Sequence, residues 1–251
     1  MLPAIRKNAI GQTQHLNQMV RTITYLVPGS RVRGLKREPS SYLKSPKGLS
    51  YQEIKVSEYH DRVRKSLQFD ENEIDLPNEI LLQCLTHKSF AHGSKPYNEK
   101  LGLLGSHFLK YQASIHSIKQ PQLLSLVAPN KLQQAVNGLN FANLGTQVSK
   151  FLISKPAMAA FVKAKNIDSL VFWKMKDPLK DSHHNGETTI FSSVLNALVG
   201  AILLTNGPEK ANRFVSNCLL GVDKDISLVK IANESFQSSN SGSNSTFTTE
   251  K

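Results

Sequence analysis

Cysteine is scarce: only Cys84 and Cys218 occur in 251 residues. Two thiols exclude a disulfide-stapled scaffold and a four-thiolate zinc site. No uncharged apolar run reaches the ~18 residues of a transmembrane helix, so no membrane span is expected. Aromatic residues are few, 7% against 39% hydrophobic residues in all, which leaves a core built mainly from aliphatic side chains. There is no G-x-S-x-G elbow, no Walker A loop and no dinucleotide-binding fingerprint, so the sequence signatures of three large enzyme classes are missing. Asp and Glu are absent from the first 37 residues.

What is present is positive charge. Lys and Arg number 31 against 19 Asp and Glu, a formal net charge of +12. Residues 1–52 hold nine of the cations and a single acid, Glu38. Such a balance suits a polyanionic partner such as RNA. In 1–27, Arg6, Lys7 and Arg21 lie among Leu2, Ile5, Ile10, Leu16, Met19 and Val20. An acid-free amphipathic start of this kind reads as a mitochondrial presequence, with the matrix as destination. The competing reading is a basic arm of an RNA-binding protein.

Residues 28–59 read as a basic extension. Pro28, Gly29, Gly34, Pro39, Pro46 and Gly48 oppose helix and strand. Arg31, Arg33, Lys36, Arg37, Lys44 and Lys47 are the candidate RNA-binding residues, able to follow phosphates on an extended backbone. At the other end, 222–251 reads as a tail, disordered from about residue 235, because no hydrophobic period runs through it.

The stretch 60–221 reads as one all-α domain. Ile80, Leu81, Cys84 and Leu85 have helical spacing, with Asn78 as candidate N-cap. Leu101, Leu104, Phe108, Tyr111 and Ile115 form a stripe on a second helix. The spacing over 130–154 predicts two short helices broken near Gly138 or Gly145. Residues 189–205 are apolar nearly all round, the mark of a buried central helix. Pro208 and Gly221 bracket a further helix. Residues 171–187 lack periodicity and read as a loop.

Residues 64–109 resemble the ribonuclease III domain. The carriers are the turn Leu85-Thr86-His87-Lys88-Ser89-Phe90 and the run Asn98-Glu99-Lys100-Leu101-Gly102-Leu103-Leu104-Gly105-Ser106. A later block, Ser192 to Leu204, resembles the family's second acidic helix, and the match extends over roughly 64–218. The resemblance implies Mg²⁺ held by carboxylates for cleavage of double-stranded RNA. It implies Glu, Glu and Asp at positions 99, 102 and 106, and Asp and Glu at 193 and 196. This chain has Glu99, Gly102, Ser106, Ser193 and Asn196. One carboxylate cannot gather the charge that a hard divalent cation and in-line phosphoryl chemistry demand. The expectation is therefore a catalytically degenerate domain with no catalytic residues, no metal and no cofactor.

The resemblance further implies pairing with a second ribonuclease III-like subunit through the first signature helix. Too few residues follow Gly221 for a double-stranded-RNA-binding domain. Together with a mitochondrial leader, it implies a structural place in the large subunit of the mitochondrial ribosome, on its rRNA and beside other ribosomal proteins. The rivals are a partner-activated endoribonuclease and a non-ribosomal RNA-maturation factor.

Other candidate chemistry is weaker. His183-His184 lacks ligand-spaced companions. His87 reads as a hydrogen-bonded structural histidine. Ser106 and His107, as neighbours on a helix, do not face one another. Phe172, Trp173 and Lys174–Lys176 either stack on RNA or pack a loop. Cys84 and Cys218 read as buried thiols.

Overall fold

The computed structural model describes residues 23–25, 31–33, 43–52, 54, 56–119, 135–136, 139–222 and 224–241. It divides into two units, 1–42 and 43–251. In the first, β1 (Ile23–Tyr25) pairs antiparallel with β2 (Arg31–Arg33), Thr24 lying opposite Val32. Strand was not expected in the basic extension. The paired segments carry the β-branched Ile23, Thr24 and Val32, the residue type that favours a pleated backbone. Arg31 and Arg33 thus sit on a strand, whereas Lys36, Arg37 and residues 1–22 lie outside the described residues.

The second unit is mostly helical, in agreement with the all-α expectation. Its elements are α1 (Val56–Ser66), α2 (Asn78–Cys84), α3 (Glu99–Lys119), the short hairpin of β3 (Ala135–Val136) with β4 (Leu139–Asn140), α4 (Gln147–Leu152), α5 (Lys155–Ala164), α6 (Ser182–Asn185), α7 (Glu187–Phe214) and α8 (Leu228–Ser241). Local chemistry sets several starts. Thr146 caps α4, its hydroxyl accepting from the Ser149 N–H, and Ser154 caps α5 through the Ala157 N–H. Each satisfies an otherwise orphan donor of the first turn. Asn78 is not the cap of α2: Pro77 holds that place, and the Asn78 side chain accepts a hydrogen bond from Arg64.

Helix α7 is the core. Val194, Leu195, Leu198, Val199 and Ile202 have no exposed surface. Each such side chain contributes about 1.5–3 kcal/mol by leaving water. Together with the π turn Val215–Leu219 that follows it, α7 is long and apolar enough to cross a membrane. Its apolar surface is instead covered by α2, α3 and α5. Around it, Phe172 meets Tyr51 edge-on and lies beside Phe90, while Phe69 meets Phe214 edge-on. The Tyr59 hydroxyl donates to the Leu170 carbonyl at 2.6 Å, so even this buried polar tip is satisfied.

Three expectations change. Over 130–154 the first half carries the β3–β4 hairpin and only the second half is helical. The stripe on α3 is not its core face. Leu104 and Tyr111 are exposed, with Leu103 beside them, while Gly105, Leu109, Gln112, Ala113 and Ser117 are buried. Small residues face α7 because the two helices approach backbone to backbone. Finally, α8 occupies part of the expected tail and runs past residue 235. Leu228, Val229 and Ala232 are buried there, and Phe236 meets the Phe151 ring of α4 edge-on. The period that drives α8 is short and was hidden beside the Ser- and Asn-rich run that follows it.

Candidate functional site

The site is where α3 crosses α7. A Cβ on Gly105 would stand 1.8 Å from the Asn196 carbonyl oxygen, and one on Gly200 would stand 2.1 Å from that of Leu101. Only glycine allows this approach, and it carries positions 99, 102 and 106 of α3 past 193 and 196 of α7. Asn98, at the entry to α3, ties the two together. Its amide donates to Ser193 Oγ at 3.3 Å and to the Cys84 carbonyl at 3.2 Å, and its backbone N–H donates to the Thr86 carbonyl at 3.0 Å.

The oxygens at the crossing are mostly engaged. Ser106 Oγ donates to the Leu103 carbonyl at 2.8 Å, and Ser193 Oγ donates to the Ile190 carbonyl at 2.7 Å. Asn196 Oδ1 is buried without a hydrogen-bond partner. Glu99, the one carboxylate among the five positions, lies 2.7 Å from Lys88 Nζ, with both side chains more than half exposed. The hydrogen bond and charge of Lys88 hold the Glu99 carboxyl below the usual range, and the same contact raises the Lys88 ammonium. The carboxylate is already matched by a cation of its own chain.

A Mg²⁺ cluster does not fit these residues. Magnesium demands charged oxygens in near-octahedral array, and the crossing offers one neutralised carboxylate, two hydroxyls donating to helix carbonyls and an amide. Among the described residues, no three His, Cys, Asp or Glu side chains group as metal ligands.

Gly102 differs from Gly105. A Cβ there would lie 3.5 Å from the Ser193 carbonyl oxygen, an ordinary contact. Gly102→Ala should therefore stabilise the protein by up to about 1 kcal/mol, the helix-interior advantage of Ala over Gly. Chemical denaturation checks this, and a loss of stability would show that the crossing is tighter at 102 than its geometry indicates.

The remaining candidates find their places. His87 Nδ1 accepts from the Ser89 N–H at 3.2 Å and sits 2.9 Å from Ser89 Oγ, and burial holds the ring below its ordinary pKa. Its backbone N–H donates to the Phe172 carbonyl, so it is a structural residue of the turn. Phe172 and Trp173 are buried, Trp173 edge-on to Phe191, which leaves no open ring for a base to stack on. Cys84 and Cys218 are buried free thiols, and burial pushes both pKa values up. His183 and His184 are exposed on α6. Lys44 and Lys47 belong to a turn of the helical unit. Lys44 forms a backbone bridge with Ser50, and Lys47 pairs with Asp168 at 2.6 Å. Sequence reasoning missed Lys88 as the partner of Glu99 and Asn98 as the link between helices. Both stand in the quoted blocks, but their partners are set by the fold.

A helical body with two signature helices crossing on glycine, and with an acid-poor site at the crossing, defines a ribonuclease III-type domain stripped of carboxylates. The chain belongs to the ribonuclease-III-like family, whose model matches residues 77–222. It is similar to the large ribosomal subunit protein mL57 of Neurospora crassa, 25% identical over 148 residues, which cover 58% of this chain and 55% of that protein. It is also similar to ribonuclease 3 of Corynebacterium diphtheriae, 26% identical over 140 residues, covering 55% and 49%. The chain thus matches about half the length of these curated relatives. The nuclease domain of ribonuclease III from Campylobacter jejuni aligns with a TM-score of 0.43 at 20% identity, over 62% of this chain and 89% of that one.

Proposed function

We propose that this chain is a structural constituent of the mitochondrial large ribosomal subunit, bound to rRNA, and that its ribonuclease III-like domain is inactive. The observation that carries the reading is the crossing itself: four of the five acidic positions are uncharged and the fifth, Glu99, is neutralised by Lys88. Phosphodiester cleavage of this type rests on metal-borne charge worth several kcal/mol, and no donor set for it exists here. Similarity to a protein named for the large ribosomal subunit supports the setting. The basic segment with Arg31, Arg33, Lys36, Arg37 and Lys44 supports rRNA as partner, and the acid-free 1–27 supports the mitochondrial matrix. Lys47 is engaged with Asp168 and contributes less.

The partner subunit docks on α3. Leu103 is 64%, Leu104 40% and Tyr111 61% exposed on one side of this helix, an apolar face that a lone body leaves in water. Such a face suits a second ribonuclease III-like subunit meeting it helix to helix.

Sedimentation of a mitochondrial extract tests the reading. The chain should travel with large subunits through a high-salt wash, and a light complex would count against it. Leu104→Asp with Tyr111→Asp should change stability by no more than about 0.5 kcal/mol, as at ordinary surface positions. The same pair should strip the chain from the particle. Duplex RNA cut in Mg²⁺ and spared by a chelator would instead make the domain an endoribonuclease.

A further inference from the structure

Between the core strand-like segment ending at Trp173 and the start of α7, residues 174–184 protrude as a knuckle whose shape is fixed from inside by one amide. Asn185 is 3% exposed. Its Oδ1 accepts the backbone N–H groups of Lys176 at 3.0 Å and Asp177 at 2.9 Å. Its Nδ2 faces the carbonyls of Asp177 and Lys180 at 2.9 Å each and of Asp181 at 3.1 Å. An asparagine side chain has two donors and two acceptor sites, so this one is spent wholly on the loop. Asp177 turns inward as well, its carboxylate accepting from the Leu179 N–H at 3.0 Å. At the near end, the Lys174 N–H donates to Ser89 Oγ, which binds the knuckle to the turn that carries Lys88.

The outward face is cationic. Lys174, Lys176 and Lys180 are exposed, and among the described residues none of the three forms an ion pair. Exposed lysines are ordinarily just solvated. Here three unpaired ammonium groups within seven residues ride on a backbone that cannot rearrange, which removes much of the ordering cost of contact. Lysine is depleted at the centres of protein–protein interfaces, whereas phosphate contacts are made largely by Lys and Arg. Leu179, 96% exposed, is the lone large apolar side chain at the tip and is too little to seat a protein partner.

We infer that the 174–184 knuckle is a preformed contact for an RNA phosphate backbone, separate from the N-terminal basic segment. This rests on the reading of the chain as an RNA-binding protein. It assigns the helical body its own contact, held by Lys174, Lys176 and Lys180 and shaped by Asn185.

The test is fluorescence anisotropy of the full chain on a 20-base-pair RNA duplex across a salt series. Each phosphate contact adds about 0.7–0.9 to the slope of log affinity against log salt. K174Q/K176Q/K180Q should keep the wild-type melting temperature, lower the slope by about two to three and weaken binding roughly 10- to 100-fold near physiological salt. Asn185→Ala, with charge unchanged, should bind several-fold more weakly while losing less than one unit of slope. Wild-type affinity and slope in the triple variant would overturn the inference while leaving RNA binding intact. A wild-type chain with no affinity for the duplex at low salt would sink the RNA-binding reading itself. Tighter binding to a 20-residue polyglutamate than to RNA, abolished in the triple variant, would reassign the knuckle to an acidic protein.

Discussion

Gly105→Ala should lower the melting temperature by roughly 6–12 °C. The added Cβ would lie 1.8 Å from the Asn196 carbonyl oxygen and 2.5 Å from the Gly200 nitrogen. These are backbone atoms of a buried helix, so no side chain can swing aside. The axes of α3 and α7 must part by more than an ångström, and that loosens the contacts of Leu101, Leu109 and Val199 along the seam. Overpacking of a well-filled core costs about 1–3 kcal/mol, and more where backbone must move. A loss of about 3 kcal/mol corresponds to the stated shift for a body of this size. Gly200→Ala should act alike, since its Cβ would stand 2.1 Å from the Leu101 carbonyl oxygen. Because both changes strain one crossing, the double variant should lose less than the sum of the two. Thermal melts followed by circular dichroism decide the matter, and a wild-type melting temperature for Gly105→Ala would refute the crossing.

The second large effect is gained by restoring charge. Gly102→Glu, Ser106→Asp, Ser193→Asp and Asn196→Glu together return carboxylates to the four uncharged positions. In a chelator this quadruple variant should melt below the wild-type protein. Four like charges then meet Glu99 across the crossing, and the Ser193 hydroxyl no longer donates to the Ile190 carbonyl. Millimolar Mg²⁺ should recover about 5–10 °C in the variant: a ligand at 100 times its dissociation constant adds about 2.7 kcal/mol to the folded state. The wild-type melting temperature should not respond to Mg²⁺. Calorimetric titration reads the same contrast as a binding isotherm in the variant and none in the wild-type protein. An Mg²⁺-stabilised wild-type chain would mean that Glu99 and its neighbours hold the ion after all, and the structural reading would fail with it.

Both experiments turn on residues that the sequence displays openly but does not explain. Gly102, Gly105 and Gly200 look alike in the chain. Two of them are indispensable to the crossing and one is merely tolerated, and the difference is a matter of a few ångströms between two backbones. The α3 stripe makes the same point from the other side. Its period shows a one-sided apolar helix, yet Leu104 and Tyr111 face water while Gly105, Ala113 and Ser117 face the core. Periodicity reports that an apolar face exists, whereas the depth of a neighbouring helix decides which face is buried. The hairpin of β3 and β4 and helix α8 were misjudged for a related reason. Each is too short for its own period to stand out, and α8 is held by packing on α4 and α5 more than by propensity.

The sequence alone determined the family, the helical class and the loss of four carboxylates, because these rest on residue identity at fixed spacing, and a missing charge is visible without coordinates. It also determined that α7 is the core, since a helix apolar on every side has no stable place in water. Only the tertiary structure decided that Lys88 neutralises the surviving Glu99, that Asn98 joins α3 to α7 through Ser193, and that Asn185 fixes the lysine-bearing knuckle. Those facts depend on side chains 11, 95 and up to 9 positions apart meeting within hydrogen-bond distance. Chain spacing cannot state such a meeting, because it is created by how the helices cross.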